Sequence, residues 1–345
     1  MSSKDFHVTV NIVTWNSEKY IRDLLDSLKA QTFQGFRIII VDNASTDRTL
    51  EIAREYETVA IIKNSANAGF SRAHNKGIEM ALKFWEGKSL DDRFIIICNP
   101  DIILNNDCVE TLLKDIWQNK NTAIAGPKLL RFYEEDGRME KIKTNIIDSL
   151  GLKIFKSRLV ADNFAGEKDA GQSARQEVFG ASGALMCARA KALEGVKWNK
   201  EYFDEDFFAY KEDIDLCWRL RNLGWSIAVN PLAIAYHHRR AGANANSSFL
   251  QRISEEKRKP KIIRFLSIRN HLWLIAKNDF LANYLLHMPF IFWGECVKFL
   301  YCLLFDFGAL RAYFSALRKL PRMLKKRKYL KKAKAGPADI RKWMK

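Results

Sequence analysis

The feature that most constrains this chain is the alternation, from residue 7 to residue 98, of short apolar runs with longer amphipathic stretches. His7 to Thr14, Phe36 to Val41, Val59 to Lys63 and Phe94 to Cys98 are short, β-branched and bounded by polar breaks, so they read as strands. The second and fourth are almost wholly apolar, as expected of strands covered on both faces. Between them, Glu18 to Gln31 brings Tyr20, Ile21, Leu24, Leu25 and Leu28 to one helical face. Arg48 to Tyr56 and Ala68 to Phe84 read as further helices. This order predicts an α/β fold with a mostly parallel sheet and helices on both faces. Ligands of such sheets collect outside the carboxyl ends of the strands. The polar breaks Thr14-Trp15-Asn16, Asp42-Asn43, Asn64 to Asn67 and Asn99-Pro100-Asp101 all fall there.

Beyond residue 130 the pattern changes. Residues 131–177 are polar with little periodicity and are expected to form surface structure, with a mobile loop near Asp162 to Gln172. Phe203 to Leu223 has helical character, and Trp225 to Asn230 and Ala233 to His237 look like short strands. From Lys261 onward the spacing predicts apolar, aromatic helices with basic edges. The net charge of +17 is confined to this last part: residues 251–345 hold 23 Lys/Arg against 6 Asp/Glu, and in residues 1–250 the two signs cancel at 34 each. A catalytic domain over 1–250 with a basic, aromatic extension over 251–345 fits this distribution; a nucleic-acid binder, basic throughout, does not. The six cysteines form no C-x-x-C pair and read as buried thiols of a reducing compartment. The N-terminus shows no apolar leader, so a cytoplasmic location is expected.

Several acids and histidines stand where chemistry could use them. Asp42 ends a strand and reads equally as a turn or cap residue and as a ligand group. Asp101 follows Pro100, which fixes the turn, and a carboxylate there suits a hard cation bridging two phosphates. Tyr210-Lys211-Glu212-Asp213-Ile214-Asp215 sets three carboxylates in apolar company, where burial raises a carboxyl pKa and favours a general base. Asp213 and Asp215, two residues apart, cannot share a helix face. His237 and His238 end a strand beside Arg239 and Arg240, which suit a metal and phosphates.

Taken together, these segments resemble family 2 glycosyltransferases of the A-type, Rossmann-like fold, and within them the rhamnosyltransferase-like branch. The resemblance rests on Ile12-Val13-Thr14-Trp15-Asn16, Val41 to Asp47, Asn67 to Gly77, Asn99-Pro100-Asp101, Gly180 to Ala184, Glu212 to Arg219 and His237-His238, in order over roughly residues 7–240. It implies an inverting transfer of sugar from a nucleotide-sugar donor. Asp213 would be the base, and Asp101 and His237 would hold Mg²⁺ or Mn²⁺. The donor would lie against Thr14, Asn16, Asp42, Asn43, Asn67, Gly69, Arg72, Asn75 and Asn99. Asn99 stands where many relatives carry the first acid of a D-x-D motif. The acceptor would be bordered by Ser182, Gly183, Glu212 and Trp218. dTDP-L-rhamnose is the donor that the resemblance suggests. The competing readings are a nucleotidyltransferase, which would be expected to carry a basic Gly-rich phosphate loop, and a non-catalytic membrane scaffold.

In the extension, Phe280 to Phe307 is apolar but interrupted by Pro289, Glu295 and Lys298, which favours an interfacial helix pair over a span. The basic residues Arg322, Lys325, Lys326, Arg327, Lys328, Lys331, Lys332 and Lys334 would attract anionic lipid on the inner face of the cell membrane. Such attachment suits a glycan acceptor carried on a polyprenyl diphosphate in cell-envelope synthesis.

Overall fold

The computed structural model describes residues 6–134, 141–171, 174–238 and 259–345. Strands β1 (Val8–Thr14), β2 (Phe36–Asp42), β3 (Val59–Lys63) and β4 (Phe94–Cys98) alternate with helices α1 (Ile21–Lys29), α2 (Thr49–Arg54) and α3 (Gly69–Phe84). The four strands lie in the order β3-β2-β1-β4, all parallel. Their side chains alternate between the faces. Val8, Val10, Ile12, Ile38 and Ile40 pack under α1 and α2. Ile39, Val41, Ile95 and Ile97 pack under α3.

Past β4 the sheet is mixed. The chain continues through β5 (Ile102–Leu104), α4 (Cys108–Gln118), β6 (Thr122–Glu134) and β7 (Lys141–Ser149). A separate pair, β8 (Leu152–Ile154) and β9 (Val160–Asp162), precedes β10 (Gln176–Glu177), β11 (Leu185–Arg189), α5 (Ala190–Val196), α6 (Glu212–Asn222) and β12 (Ser226–His238). β11 enters antiparallel between β4 and β6, and β12 runs parallel to β6 on its far side.

Three local expectations change. Residues 131–177 are not mere surface: β6 runs on to Glu134 and pairs with β7, whose end is buried. The two short strands near residue 230 are one, β12, with a register shift between Asn230 and Ile234 around Pro231, which has no N–H for the ladder. The helix expected from Phe203 begins only at Glu212, because Phe208, Tyr210 and Lys211 all have φ near +66° to +69°, outside any right-handed helix.

The extension is docked on the domain. Its helices are α7 (Lys261–Asn278), α8 (Leu281–Leu286), α9 (Met288–Phe305), α10 (Arg311–Arg318), α11 (Leu320–Lys326) and α12 (Pro337–Arg341). The boundary near residue 250 and Arg239 and Arg240 lie outside the described residues. Lys277 of α7 is buried between Asp204 (2.7 Å) and Asp215 of α6 (2.9 Å), and Asn278 Nδ2 donates to Asp215 at 2.8 Å. Lys326 of α11 joins the cluster through Asp204 and Asp206. The basic run is thus not all available to lipid. Lys326 is buried, Arg322 pairs with Asp206 at 2.5 Å and Arg327 donates to the Ala276 carbonyl, whereas Lys325, Lys328, Lys331, Lys332 and Lys334 stay exposed.

α9 is long and apolar enough to cross a membrane, yet ion pairs tie it and the residue after it to α7. His271 meets Glu295 at 3.0 Å and Arg264 meets Asp306 at 3.1 Å. Only Ile291 and Cys302 of α9 are buried, and Phe292, Trp293 and Leu304 are about 70% exposed. All six cysteines are free thiols, five of them buried.

Lys277→Met keeps the side-chain volume and leaves two buried carboxylates without their shared cation. It is expected to cost about 3–5 kcal/mol of stability, read by urea unfolding of the two proteins; an unchanged midpoint would show that the cluster contributes nothing.

Candidate active site at the carboxyl edge of the sheet

Two residues of α6 that sequence spacing separates do opposite work. Asp215 points into the buried cluster, where Lys277 and Arg219 (2.8 Å) hold its carboxyl below the usual range against the opposing effect of burial. Asp213 points the other way. Its Oδ2 accepts from the Gly183 amide at 3.0 Å and its Oδ1 from its neighbour Ile214 at 2.8 Å. Burial raises its carboxyl pKa despite these donors. Gly183 is needed for this approach, since a Cβ there would lie 3.0 Å from Asp213 Cβ. The next residue, Ala184, accepts from the Asn99 amide at 2.8 Å. Asp213 is therefore joined through Gly183 and Ala184 to the Asn99-Pro100-Asp101 turn at the end of β4.

Asp101 and His237 meet because β5 pairs antiparallel with β12, setting His237 opposite Ile102, while the His238 amide donates to the Asp101 carbonyl. His237 Nδ1 lies 2.8 Å from Asp148 Oδ2, and its Nε2 faces Asp101 Oδ1 at 3.6 Å. That Asp101 oxygen is buried without a hydrogen-bond partner. Burial opposes the imidazolium, but Asp101 and Asp148 outweigh it and push the His237 pKa up to about 9. The pair favours a positive charge between Asp101 and His237. An oxygen donor, a ring nitrogen and a second carboxylate fixing the ring suit a divalent cation. Among the described residues no third His, Cys, Asp or Glu completes a metal cluster, so further ligands would come from phosphate or water.

The donor-side residues fall into two sets. Thr14 and Asp42 are fully buried: Thr14 Oγ1 donates to Asp42 at 2.8 Å, and the Ser45 hydroxyl and amide donate to the same carboxylate. Asn43 binds the 64–69 loop through Asn64, Ala68 and the Gly69 carbonyl. Asn75 is committed to the Tyr202 and Phe203 backbone at 2.8–3.1 Å. Gly69 (φ +81°) admits Phe208, whose carbonyl would stand 2.6 Å from a Cβ. Their side chains, where present, are committed to hydrogen bonds that shape the edge. Asn16, Asn67, Arg72 and Asn99 remain at least partly exposed; Arg72 lies 3.6 Å from Glu205.

On the acceptor side, Ser182 is partly exposed, with Oγ accepting from the Ala184 amide. Trp218 is a correction: it is wholly buried edge-on against Phe179 and reaches no acceptor. Glu212 is also enclosed. Burial, then the charge of Asp213, push its carboxyl well above the usual range, and its Oε2 has no hydrogen-bond partner.

The description Glycosyl transferase family 2 belongs to a sequence family whose model matches residues 9–194. This chain belongs to that family. The rhamnosyltransferase WbbL of Escherichia coli (strain K12) is 27% identical over 236 residues, 67% of this glycosyltransferase and 83% of the relative. The N-acetylglucosaminyl-diphospho-decaprenol L-rhamnosyltransferase of Mycobacterium tuberculosis is 27% identical over 237 residues, 66% and 74% of the two chains. The fold is that of S. aureus TarS 1-349, with a TM-score of 0.54 at 17% identity over 92% of this chain and 81% of that one. It is also that of GalNAc-T7 solved with UDP, GalNAc and Mn²⁺, with a TM-score of 0.56 at 13% identity over 80% and 48%. The family match includes Asp101 and stops before Asp213 and His237.

Three contributors escaped the sequence reading. Asp148 sat in a stretch read as surface; its signal was the apolar pair Ile146-Ile147 just before it. Trp15, 58% exposed, offers a ring face where a planar base could stack. Asn270 of α7 is buried, and its Nδ2 lies within 2.8–3.0 Å of the Phe207, Ala209 and Tyr210 carbonyls. It clasps the loop that holds three positive-φ residues and leads into Asp213. Asn270→Ala is expected to lower kcat for sugar transfer about tenfold or more by loosening that loop, with donor KM little changed; equal kcat in steady-state assays would refute the clasp.

Proposed function

We propose that this glycosyltransferase is an inverting enzyme in which Asp213 removes the proton from the acceptor hydroxyl. The observation that carries the reading is the Gly183 amide, which aims Asp213 along the edge that carries Asn99 and Asp101. A carboxylate raised by burial is a stronger base than a solvated one. The acceptor oxygen then attacks the anomeric carbon from the face opposite the leaving nucleoside diphosphate, and the configuration inverts. Asn16, Asn67, Arg72 and Asn99 line the donor side, with Trp15 available to the base. Ser182 borders the acceptor.

Asp101 and His237 fit a divalent cation, Mg²⁺ or Mn²⁺, and Asp148 would fix the histidine tautomer. Bound there, the cation supplies charge that offsets the departing diphosphate. The two rhamnosyltransferase relatives support rhamnose as the sugar moved, for which dTDP-L-rhamnose is the donor we propose, and the mycobacterial one supports a polyprenyl-diphosphate acceptor, which suits cell-envelope synthesis. The exposed outer face of α9 and the five exposed lysines nearby support seating on the anionic inner surface of the membrane. Because α9 is tied to α7 through Glu295 and Asp306, an interfacial position suits it better than a span. A domain boundary near residue 250 remains the division we favour, with the extension serving as both anchor and support for α6.

Asp213→Asn is expected to retain donor binding, measured by calorimetry, and to lose at least about 10²-fold in kcat; full turnover would sink the assignment. The base works only when ionised, so wild-type kcat should fall as pH drops through the raised Asp213 pKa, above the ordinary carboxylate range near 4. Asp148→Asn is expected to raise the metal concentration for half-maximal rate about 10–100-fold; an unchanged metal titration would separate His237 from the metal.

A further inference from the structure

A cavity of about 380 Å³ lies between α7 and α9, with Lys211 of the loop that leads into Asp213 in its lining. Four cations line it: Lys211, Lys259, Arg264 and Lys298. One carboxylate, Asp306, shares the lining, and a second, Glu295, pairs with Lys298. Among the described residues the cations thus outnumber the acids in a space that is partly closed to water. Arg264 is 9% exposed; its Nη1 is held by Asp306 at 3.1 Å, and its Nε is buried with no hydrogen-bond partner. Lys211 has no carboxylate within ion-pair distance among the described residues. Burial, then the charges of Lys298 and Lys259, push its ammonium down to about 8. Cations that converge on one cavity, with a buried guanidinium N–H left without an acceptor, are the mark of an anion site.

Two placements say which anion. Lys211 is two residues from Asp213, so a group held in the cavity stands next to the proposed base. Lys298 and Tyr301 project into the cavity from α9, whose other face carries the exposed Phe292, Trp293, Leu300 and Leu304. A ligand with an anionic head and a long apolar chain meets both surfaces of one helix. We propose that this cavity binds the diphosphate of a lipid-linked acceptor, with Arg264, Lys298 and Lys211 on the phosphates and the lipid along the outer face of α9. The proposal rests on the reading of the enzyme as a transferase to a lipid-linked acceptor and adds where the acceptor's charged link is held.

The test uses the full chain in detergent. Farnesyl diphosphate binding is measured by calorimetry with UDP and dTDP present to occupy the donor side, and is compared with farnesol and with phosphatidylglycerol vesicles. Wild-type protein should bind the diphosphate and not farnesol. Arg264→Gln and Lys298→Gln should each weaken that binding about tenfold, as one lost charge-assisted contact would, with vesicle binding falling less. Arg264→Lys should recover part of the loss. Lys298 is partly exposed, so its variant serves if Arg264→Gln does not fold. In parallel, transfer from dTDP-L-rhamnose to N-acetylglucosaminyl-diphospho-farnesol is compared with transfer to farnesyl N-acetylglucosaminide. The ratio of kcat/KM for the two should fall about tenfold in the variants. Unchanged farnesyl diphosphate binding, or an equal loss toward vesicles, overturns the cavity assignment in favour of a general lipid surface. Diphosphate binding that falls in the variants while wild type transfers to neither acceptor upholds the cavity and overturns the proposed reaction.

Discussion

The structure turns on the burial of Lys277 between Asp204 and Asp215. One ammonium, fully enclosed, holds two carboxylates from different segments, and Lys326 adds a second cation from α11. Desolvating so many charges is expensive, and the arrangement holds only because each carboxylate oxygen finds a donor. Asn278 and Arg219 complete Asp215. The geometric result is that α6 is pinned from one side by its fourth residue, Asp215. Its second residue, Asp213, is thereby turned toward Gly183 on the other. Asn270, one helical stretch earlier on α7, fixes the strained loop that precedes α6. The C-terminal helices thus brace the segment that carries Asp213, besides carrying an apolar surface.

Charge is sorted across this frame. At the sheet edge, acids converge on His237 and favour a cation. Between α7 and α9, lysines and an arginine converge on a cavity and favour an anion. Burial raises the carboxyl pKa of Asp213 and pushes that of Glu212 beside it well above the usual range.

Much of the fold was legible because periodicity reports burial directly. The β1 to β4 runs and α1 to α3 emerged with boundaries close to those observed, and the polar breaks after the strands marked the edge that carries Asp101. What local pattern could not carry was long-range pairing. Nothing near Asp148 in sequence announces His237, 89 residues away. Trp218 and Asp215 look like site residues beside Asp213, yet a helix turns them toward its buried side. Asn75 and Asn43 resemble ligand groups because buried amides that lock loops use the same atoms as amides that bind substrates. The basic run near residue 325 read as uniform, and only the fold shows Lys326 paired inside while Lys325 and Lys328 face out.

The central claim is that a single base, Asp213, deprotonates the acceptor for direct displacement at the sugar. The most direct measurement is the anomeric configuration of the first-formed product, followed by NMR from a donor of known configuration. Direct displacement predicts inversion in the initial product. Net retention would contradict the account, because it requires a second displacement or front-face attack that this placement of Asp213 does not provide.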